Sequence, residues 1–258
     1  MATYTTVTVT NVRHWSDKLF SFTTTREPGL RFENGQFIMV GLEVDGRRIV
    51  RAYSIASANH EDELEFYSIK VPDGPLTSRL KEIRAGETVL LSAKPTGTLV
   101  IRDLRAGKRL FLLSTGTGFA PFASLIKDPE VYDRFEQVIL VRGARHITDL
   151  AYGDAIVERV RQDPYIGDLV RAQLLDYPTV TREPHVHNGR VTAVLESGQL
   201  STDLGIAPLD RSTDRVMICG SKAMLQDCCE LLNVRGFEIS ARVGSPGDYV
   251  IERAFVDS

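Results

Sequence analysis

Cysteine is scarce in this chain, with three among 258 residues; Cys219 stands alone, and Cys228 and Cys229 are adjacent. Adjacent thiols suit neither an ordinary disulfide nor a metal knuckle, and no iron-sulfur or zinc spacing is present. The five histidines form no ligand set, and His185 and His187 read as surface loop, so no metal is expected. Nowhere do about 18 apolar residues run together, which excludes a membrane-spanning helix. The opening MATYTTVTVT lacks the basic-then-apolar order of a secretion leader, and a cytoplasmic protein is the expectation. A basic overall field is missing too: the net charge of -3 argues against nucleic acid or an anionic membrane surface as partner.

What is present is a globular composition, 43% hydrophobic and 25% charged, long enough for one large domain or two smaller ones. Two rhythms divide it. TVTVTNV, LFSFTTT, GQFIMVGLEV, RRIVRAYSIAS, ELEFYSIKV and ETVLLSAK alternate or are β-branched and are separated by turn residues, which predicts a small antiparallel barrel with one short helix at LTSRLKEI. From about Asp103, strands alternate with helices: KRLFLLS before PFASLIKD, QVILVRGA before DLAYGDAIVERVRQ, DRVMICG before KAMLQDCCELLNVRG. That order predicts a doubly wound parallel sheet, hence α/β, with domains of 1–103 and 104–258.

Several stretches carry chemistry. STGTGFAP follows a strand and opens a helix, the place where a parallel sheet presents its ligand crevice; Gly116 and Gly118 let backbone amides approach a phosphate at a helix N-terminus. The spacing departs from the regular dinucleotide fingerprint, because Pro121 stands where a third glycine is usual. CGS (Cys219, Gly220, Ser221) ends another strand at the same predicted edge. Cys219 is either a small buried hydrophobe or a soft, compact side chain beside a planar ring. Arg145, Arg182 and Arg190 follow strands or lie close by, and planar guanidinium groups there suit a phosphate monoester, favouring NADP over NAD. In RAYSIAS, Arg51 suits a pyrophosphate, Tyr53 is either barrel core or a platform for a flat ring, and Ser54 lies within reach of a ring nitrogen. GPLTS adds the Thr77 and Ser78 hydroxyls at a helix start.

RAYS, GPLTS, STGTGFAP and CGS, in this order on a two-domain layout, resemble the ferredoxin-NADP reductase superfamily, and RFENGQF, KPTGTL and the ending ERAFV are similar to its bacterial flavodoxin/ferredoxin-NADP reductases. The resemblance spans essentially the whole chain and implies an FAD-binding barrel and an NADP-binding α/β domain. It assigns Arg51, Ala52, Tyr53 and Ser54 to FAD, with Tyr67, Ser68 and Ile69 lining the flavin. Gly74, Pro75, Leu76, Thr77 and Ser78 then hold the pyrophosphate, with Thr117, Ala254 and Phe255 also on the FAD side. NADP falls to Thr115, Gly116, Gly118, Pro121, Gly143, Ala144, Arg145, Thr181, Arg182, Arg190, Cys219, Gly220 and Ser221. The implied reaction is electron exchange between NADPH and ferredoxin or flavodoxin, met transiently. Tyr53, Ser54, Cys219 and Glu252 are its catalytic candidates, Glu252 as a proton or hydrogen-bond relay. The chain ends Ala254–Ser258 rather than on the aromatic residue of plant-like members, and Arg142 stands where relatives often carry histidine. The alternatives are an NADH-dependent reductase of the cytochrome b5 type, which the arginines disfavour, and a non-catalytic flavin or nucleotide sensor; a dioxygenase-type reductase would need an iron-sulfur module.

Overall fold

The computed structural model describes residues 3–253. Its first half holds six strands: β1 Tyr4–His14, β2 Leu19–Thr25, β3 Phe37–Val44, β4 Arg47–Ser54, β5 Glu63–Ile69 and, after the single-turn helix α1 Thr77–Leu80, β6 Thr88–Ser92. They pair antiparallel in the order β4-β3-β6-β1-β2-β5. The two edges meet at one corner, where Ile55 bridges Phe66 and the Ala56 N–H donates to the Glu65 carbonyl at 2.8 Å. The barrel is therefore closed just beyond Ser54, while the rest of β4 pairs only with β3. Alternate residues such as Phe20 and Phe22, Ile38 and Val40, and Leu64 and Phe66 fill its interior, as a period of two requires.

The second half runs β7 Arg109–Thr115, a tight turn at Gly116–Phe119, α2 Ala120–Leu125, α3 Pro129–Arg134, β8 Gln137–Ala144, α4 Ala151–Arg161, α5 Gly167–Gln173, β9 Leu174–Val180, α6 Val191–Glu196, α7 Gln199–Leu204, β10 Asp214–Gly220, α8 Lys222–Val234 and β11 Tyr249–Arg253. All five strands are parallel, in the order β11-β10-β7-β8-β9. Leu110, Leu112, Val138 and Leu140 face a layer containing α2 to α5, whereas Phe111, Leu113, Ile139 and Val141 face one containing α6 and α8. Helices on both faces bury the middles of β7, β8 and β10 from both sides, which is why LFLL, VILV and VMIC read as continuous apolar runs. The last strand is not evident in the sequence beforehand.

The two halves share apolar packing. Leu19, Ala56, Tyr67 and Leu99 from the first belong to the same buried cluster as Phe119, Phe122 and Tyr152 from the second. The Tyr67 and Tyr152 rings stack with centroids 4.0 Å apart, and Trp15 meets Tyr152 edge-on. Strand β5 is accordingly covered on both sides, Phe66 toward the barrel and Tyr67 toward the helices.

Candidate functional site

In the parallel sheet, β7 leads outward to β8 and then β9, and the chain returns to lay β10 on the other side of β7. A crevice opens between connections that leave neighbouring strand ends in opposite directions. Its two walls are the turn after β7 and the turn after β10, and they are locked together. A Cβ on Gly118 would lie 2.2 Å from the Cys219 carbonyl oxygen, and one on Gly220 would lie 2.4 Å from Thr115 Oγ1. The Ser221 N–H donates to Thr115 Oγ1 at 3.3 Å. Gly118 thus supplies the close approach usually credited to a third glycine, and Pro121 sits harmlessly in the first turn of α2. Gly116 has a φ of +55° with open space where a side chain would point, so its backbone faces the crevice bare.

A cavity of about 690 Å³ extends from this crevice along the strand ends, a size suited to a dinucleotide fragment. Loops after four strands line it: Thr115, Gly116 and Thr117; Gly143, Ala144 and Arg145; Thr181, Arg182 and Arg190; and Ser221. The Thr181 and Arg182 amides donate to the Ala144 and Arg145 carbonyls at 3.1 Å each, so those two loops move as one. Three guanidinium groups then face a single space. Gly118, Pro121, Cys219 and Gly220 lie behind the lining and shape it. Sequence reasoning did not identify Lys18, which reaches the cavity from the barrel, nor Asp149, Thr192 and Asp227; no local pattern marks them, because only the tertiary fold brings them there.

Arg142, one residue before Gly143, is a different kind of arginine. It is buried, donates to Asp176 at 2.8 and 2.7 Å and to Asp154 at 2.7 Å, and packs over Phe119. Its charge is matched beneath the cavity floor rather than offered to a ligand. His185 and His187 form a loop whose ring nitrogens meet backbone groups, His187 stacking on Tyr177. Among the described residues no group of three or more His, Cys, Asp or Glu gathers as a metal site.

Of the described residues in the flavin set, only Ile69 and Thr117 line this cavity. Arg51 pairs with Val40 and Tyr53 with Ile38, so both project on the inner side of the sheet. Arg51 is exposed there, its only described bond reaching the Val50 carbonyl at 2.9 Å. Tyr53, beyond which the barrel closes, is 6% exposed. It meets Phe22 and Phe66 edge-on and places its hydroxyl 3.1 Å from Ser68 Oγ, and burial raises its phenol pKa. Tyr53 is thus a side chain of the barrel core. Tyr67 stacks on Tyr152 and lines a small hollow beside Gly116 and Phe119 rather than the main cavity. Gly74 to Ser78 lead into α1, where Thr77 Oγ1 donates to the Val71 carbonyl at 3.3 Å; they stand apart from the cavity. Ala52 is exposed on β4, and Ala254 and Phe255 lie outside the described residues.

Cys219 and Glu252 are register neighbours on β10 and β11. Glu252 Oε2 accepts from the Thr98 N–H at 3.0 Å and from its hydroxyl at 3.3 Å, so the final strand is tied to the segment following the barrel. The position of a Cβ on Gly97 is 3.2 Å from that carboxylate and 3.3 Å from the ring of Phe37, the register partner of Ser54. Ser54 is thus linked to Glu252 through Phe37 and Gly97, and Glu252 to Cys219 through their strand register. Burial raises the Cys219 thiol far above its ordinary range, with the Glu252 charge adding to it. Burial also raises the Glu252 carboxyl, and the two Thr98 bonds hold that rise back. Thr117, 7% exposed, carries a hydroxyl with no hydrogen-bond partner among the described residues. An unpaired buried hydroxyl, a guanidinium on β4 with no acidic partner among the described residues, and the open backbone at Gly116 fit an anionic, flat dinucleotide.

Comparison with known proteins agrees with this geometry. Residues 5–101 match the oxidoreductase FAD-binding domain and residues 112–230 the oxidoreductase NAD-binding domain. The chain is 57% identical to the ferredoxin-NADP reductase of Azotobacter vinelandii over 96% of each chain. It is 53% identical to the flavodoxin/ferredoxin-NADP reductase of Rhodobacter capsulatus, over 96% of this chain and 92% of that one. A ferredoxin NADP+ reductase from Neisseria gonorrhoeae, solved with bound FAD and NADP, superposes with a TM-score of 0.89 at 29% identity over 99% and 100% of the two chains. A two-domain flavin and nicotinamide nucleotide oxidoreductase is the class this fold and site define. Within it, the chain belongs to the ferredoxin-NADP reductase family.

Proposed function

We propose that this protein is an FAD-dependent reductase exchanging electrons between NADPH and ferredoxin or flavodoxin. The observation that carries the reading is the convergence of Arg145, Arg182 and Arg190 on a cavity that begins at the glycine turn. One cofactor, FAD, supplies when bound the conversion of a two-electron hydride into single electrons. The chain's own residues position and exclude. Arg51 and the Gly74–Ser78 turn would hold the FAD pyrophosphate, Tyr53 the ring plane and Ser54 a ring nitrogen. Arg145, Arg182 and Arg190 would grip the adenosine phosphate of NADPH, leaving its nicotinamide toward Gly118, Gly220 and Cys219. Glu252 is anchored by Thr98 rather than free on the surface, which suits a fixed hydrogen-bonding group. A division near Asp103 separates the two binding domains. The partner is a small one-electron carrier met in passing, and the cytoplasm is a compartment in which three unpaired cysteines persist.

The test is an absorption spectrum of the purified protein before and after NADPH, followed by catalytic efficiencies with NADPH and NADH. A yellow protein that bleaches and prefers NADPH at least tenfold supports the reading. Equal efficiencies would leave a cytochrome b5 type reductase, and a bound flavin that NADPH does not reduce would leave a sensor.

A further inference from the structure

Apart from the Glu252 tie, a dense polar contact between the two domains lies outside the cavity. Lys127, just past the C-terminal end of α2, is 5% exposed. Its ammonium donates to the Ala56 carbonyl at 3.2 Å and to Glu61 Oε2 at 3.1 Å. Beside it Asn34, also 5% exposed, donates through Nδ2 to Asp128 Oδ2 at 2.7 Å. Its Oδ1 accepts from the Asn59 N–H at 2.7 Å and the Ser124 hydroxyl at 2.9 Å. Each bond crosses between barrel and helix or pins the barrel segment that receives it.

Taking an ammonium out of water is costly, and a well-packed apolar side chain of similar volume is often at least as stabilising. Stability alone therefore explains this lysine poorly. Direction explains it better, because the two segments it joins lead to the two halves of the site. Ala56 continues RAYSIAS directly after the barrel closure at Ile55. Lys127 ends the run that starts at the turn Gly116–Phe119 and passes through α2. A short, buried path thus connects the strand bearing Arg51, Tyr53 and Ser54 to the turn bearing Gly116 and Gly118.

We propose that Lys127, seated with Asn34, is a positioning residue for hydride transfer, fixing the separation between the flavin-binding strand and the nicotinamide-facing turn. This rests on the reductase reading above. Reacting atoms must approach to about 3–3.5 Å, and a misplacement of about 1 Å costs on the order of 100-fold in rate. Lys127→Met keeps the volume and removes both bonds, while the apolar cluster common to the two domains continues to hold them together.

The experiment compares FAD-loaded wild type, Lys127→Met and the milder Ser124→Ala. It measures NADPH-ferricyanide turnover, the deuterium isotope effect with NADPH labelled at the transferred hydrogen, bound FAD, thermal unfolding and the flavin difference spectrum on titrating NADP+. For Lys127→Met the expected result is a fall in kcat of about tenfold or more with KM for NADPH within about twofold. The isotope effect should rise, and the NADP+ difference spectrum should change shape at little changed affinity. Ser124→Ala should move the same way by a few-fold. Unchanged kcat and isotope effect in folded, flavin-replete variants overturn the proposal, as does a loss of rate that tracks lost FAD or raised KM. If Lys127→Met does not fold, Ser124→Ala decides by the same criteria. A wild type that fails to oxidise NADPH overturns the reductase reading, whereas a competent wild type matched by the variants overturns only the positioning role.

Discussion

The nucleotide side of the site is made of loops that leave parallel strands, while the flavin side is made of the flank of a barrel strand that is half core. At the turn after β7 Gly118 abuts backbone, the Cys219 carbonyl, and the amides of Thr181 and Arg182 bond the loop before them, while Gly220 meets the Thr115 side chain. On the barrel, Gly74 meets Thr77 Oγ1 and Tyr53 meets Ser68, while Gly35 and Gly41 abut the backbone of Leu99 and Ile49. Backbone cannot rotate out of the way and side chains can. The nucleotide wall is therefore brittle at Gly118, and the flavin wall adaptable at Gly74 and Tyr53.

Gly118→Val is the harshest test of that contrast. Its Cβ would meet the Cys219 oxygen at 2.2 Å, the Cys219 carbonyl carbon at 2.6 Å and the Gly220 nitrogen at 2.8 Å, so the turn and β10 must part. We expect kcat/KM for NADPH to fall by more than about 100-fold and stability to drop by about 3 kcal/mol, measured by steady-state kinetics and chemical denaturation. Gly74→Ala, whose Cβ meets a hydroxyl 2.3 Å away that can rotate, should weaken FAD binding by less than about tenfold. Equal damage from both substitutions would break the contrast.

Arg182→Ala and Arg145→Ala come next. A hydrogen bond to a charged group is worth about 1.5–3 kcal/mol, so each substitution should raise KM for NADPH by roughly 10- to 100-fold and leave KM for NADH nearly unchanged. Arg142→Ala should behave oppositely. It strips the exposed Asp154 and the partly buried Asp176 of their partner, so it should lower stability by about 3 kcal/mol without changing the ratio of NADPH to NADH efficiency. Separate thermal and kinetic measurements distinguish the two kinds of arginine.

These cases mark how far the sequence is legible. Strand and helix order, and the loops that meet at the crevice, follow from local periodicity and from glycines placed after strands, because each is decided within a few residues. The strand at Tyr249–Arg253 is not evident beforehand, since it lies after a long irregular stretch and owes its pairing to β10. The surroundings of Tyr67 are hidden for a related reason: alternation says that it faces away from Phe66 but not that Tyr152 waits there. Lys18 enters the cavity only because the domains dock. Arg142 and Arg145 look alike as letters, and their difference lies in Asp154 and Asp176, which come from other elements.

Tyr53→Phe probes the adaptable wall at its most buried point. Removing the hydroxyl leaves Ser68 with only a 3.5 Å contact to the Ile69 carbonyl, and we expect a loss of about 1 kcal/mol, seen in thermal unfolding. The ring that meets Phe22 and Phe66 remains, so FAD uptake should change by less than the unfolding does. A complete loss of FAD would mean that the hydroxyl, rather than the ring, holds the flavin.

Glu252→Gln should have the smallest effect, and its sign follows from burial. Because burial raises the Glu252 carboxyl while the Thr98 bonds only partly offset this, the native state holds the proton more tightly than the unfolded chain does. This group's contribution to stability is then full below the ordinary carboxylate pKa and is lost as pH rises through the raised one. Glutamine has no such titration, yet its carbonyl can still accept the Thr98 N–H and so preserve the tie between β11 and the barrel's exit. Denaturation of the flavin-loaded wild type and of the Glu252→Gln variant from pH 4 to pH 8 should show the wild type losing ground to the variant as pH rises across the weakly acidic range, with parallel curves above it. A difference of opposite slope would mean that the carboxylate is favoured in the folded protein, and the Thr98 hydrogen bonds would then outweigh burial.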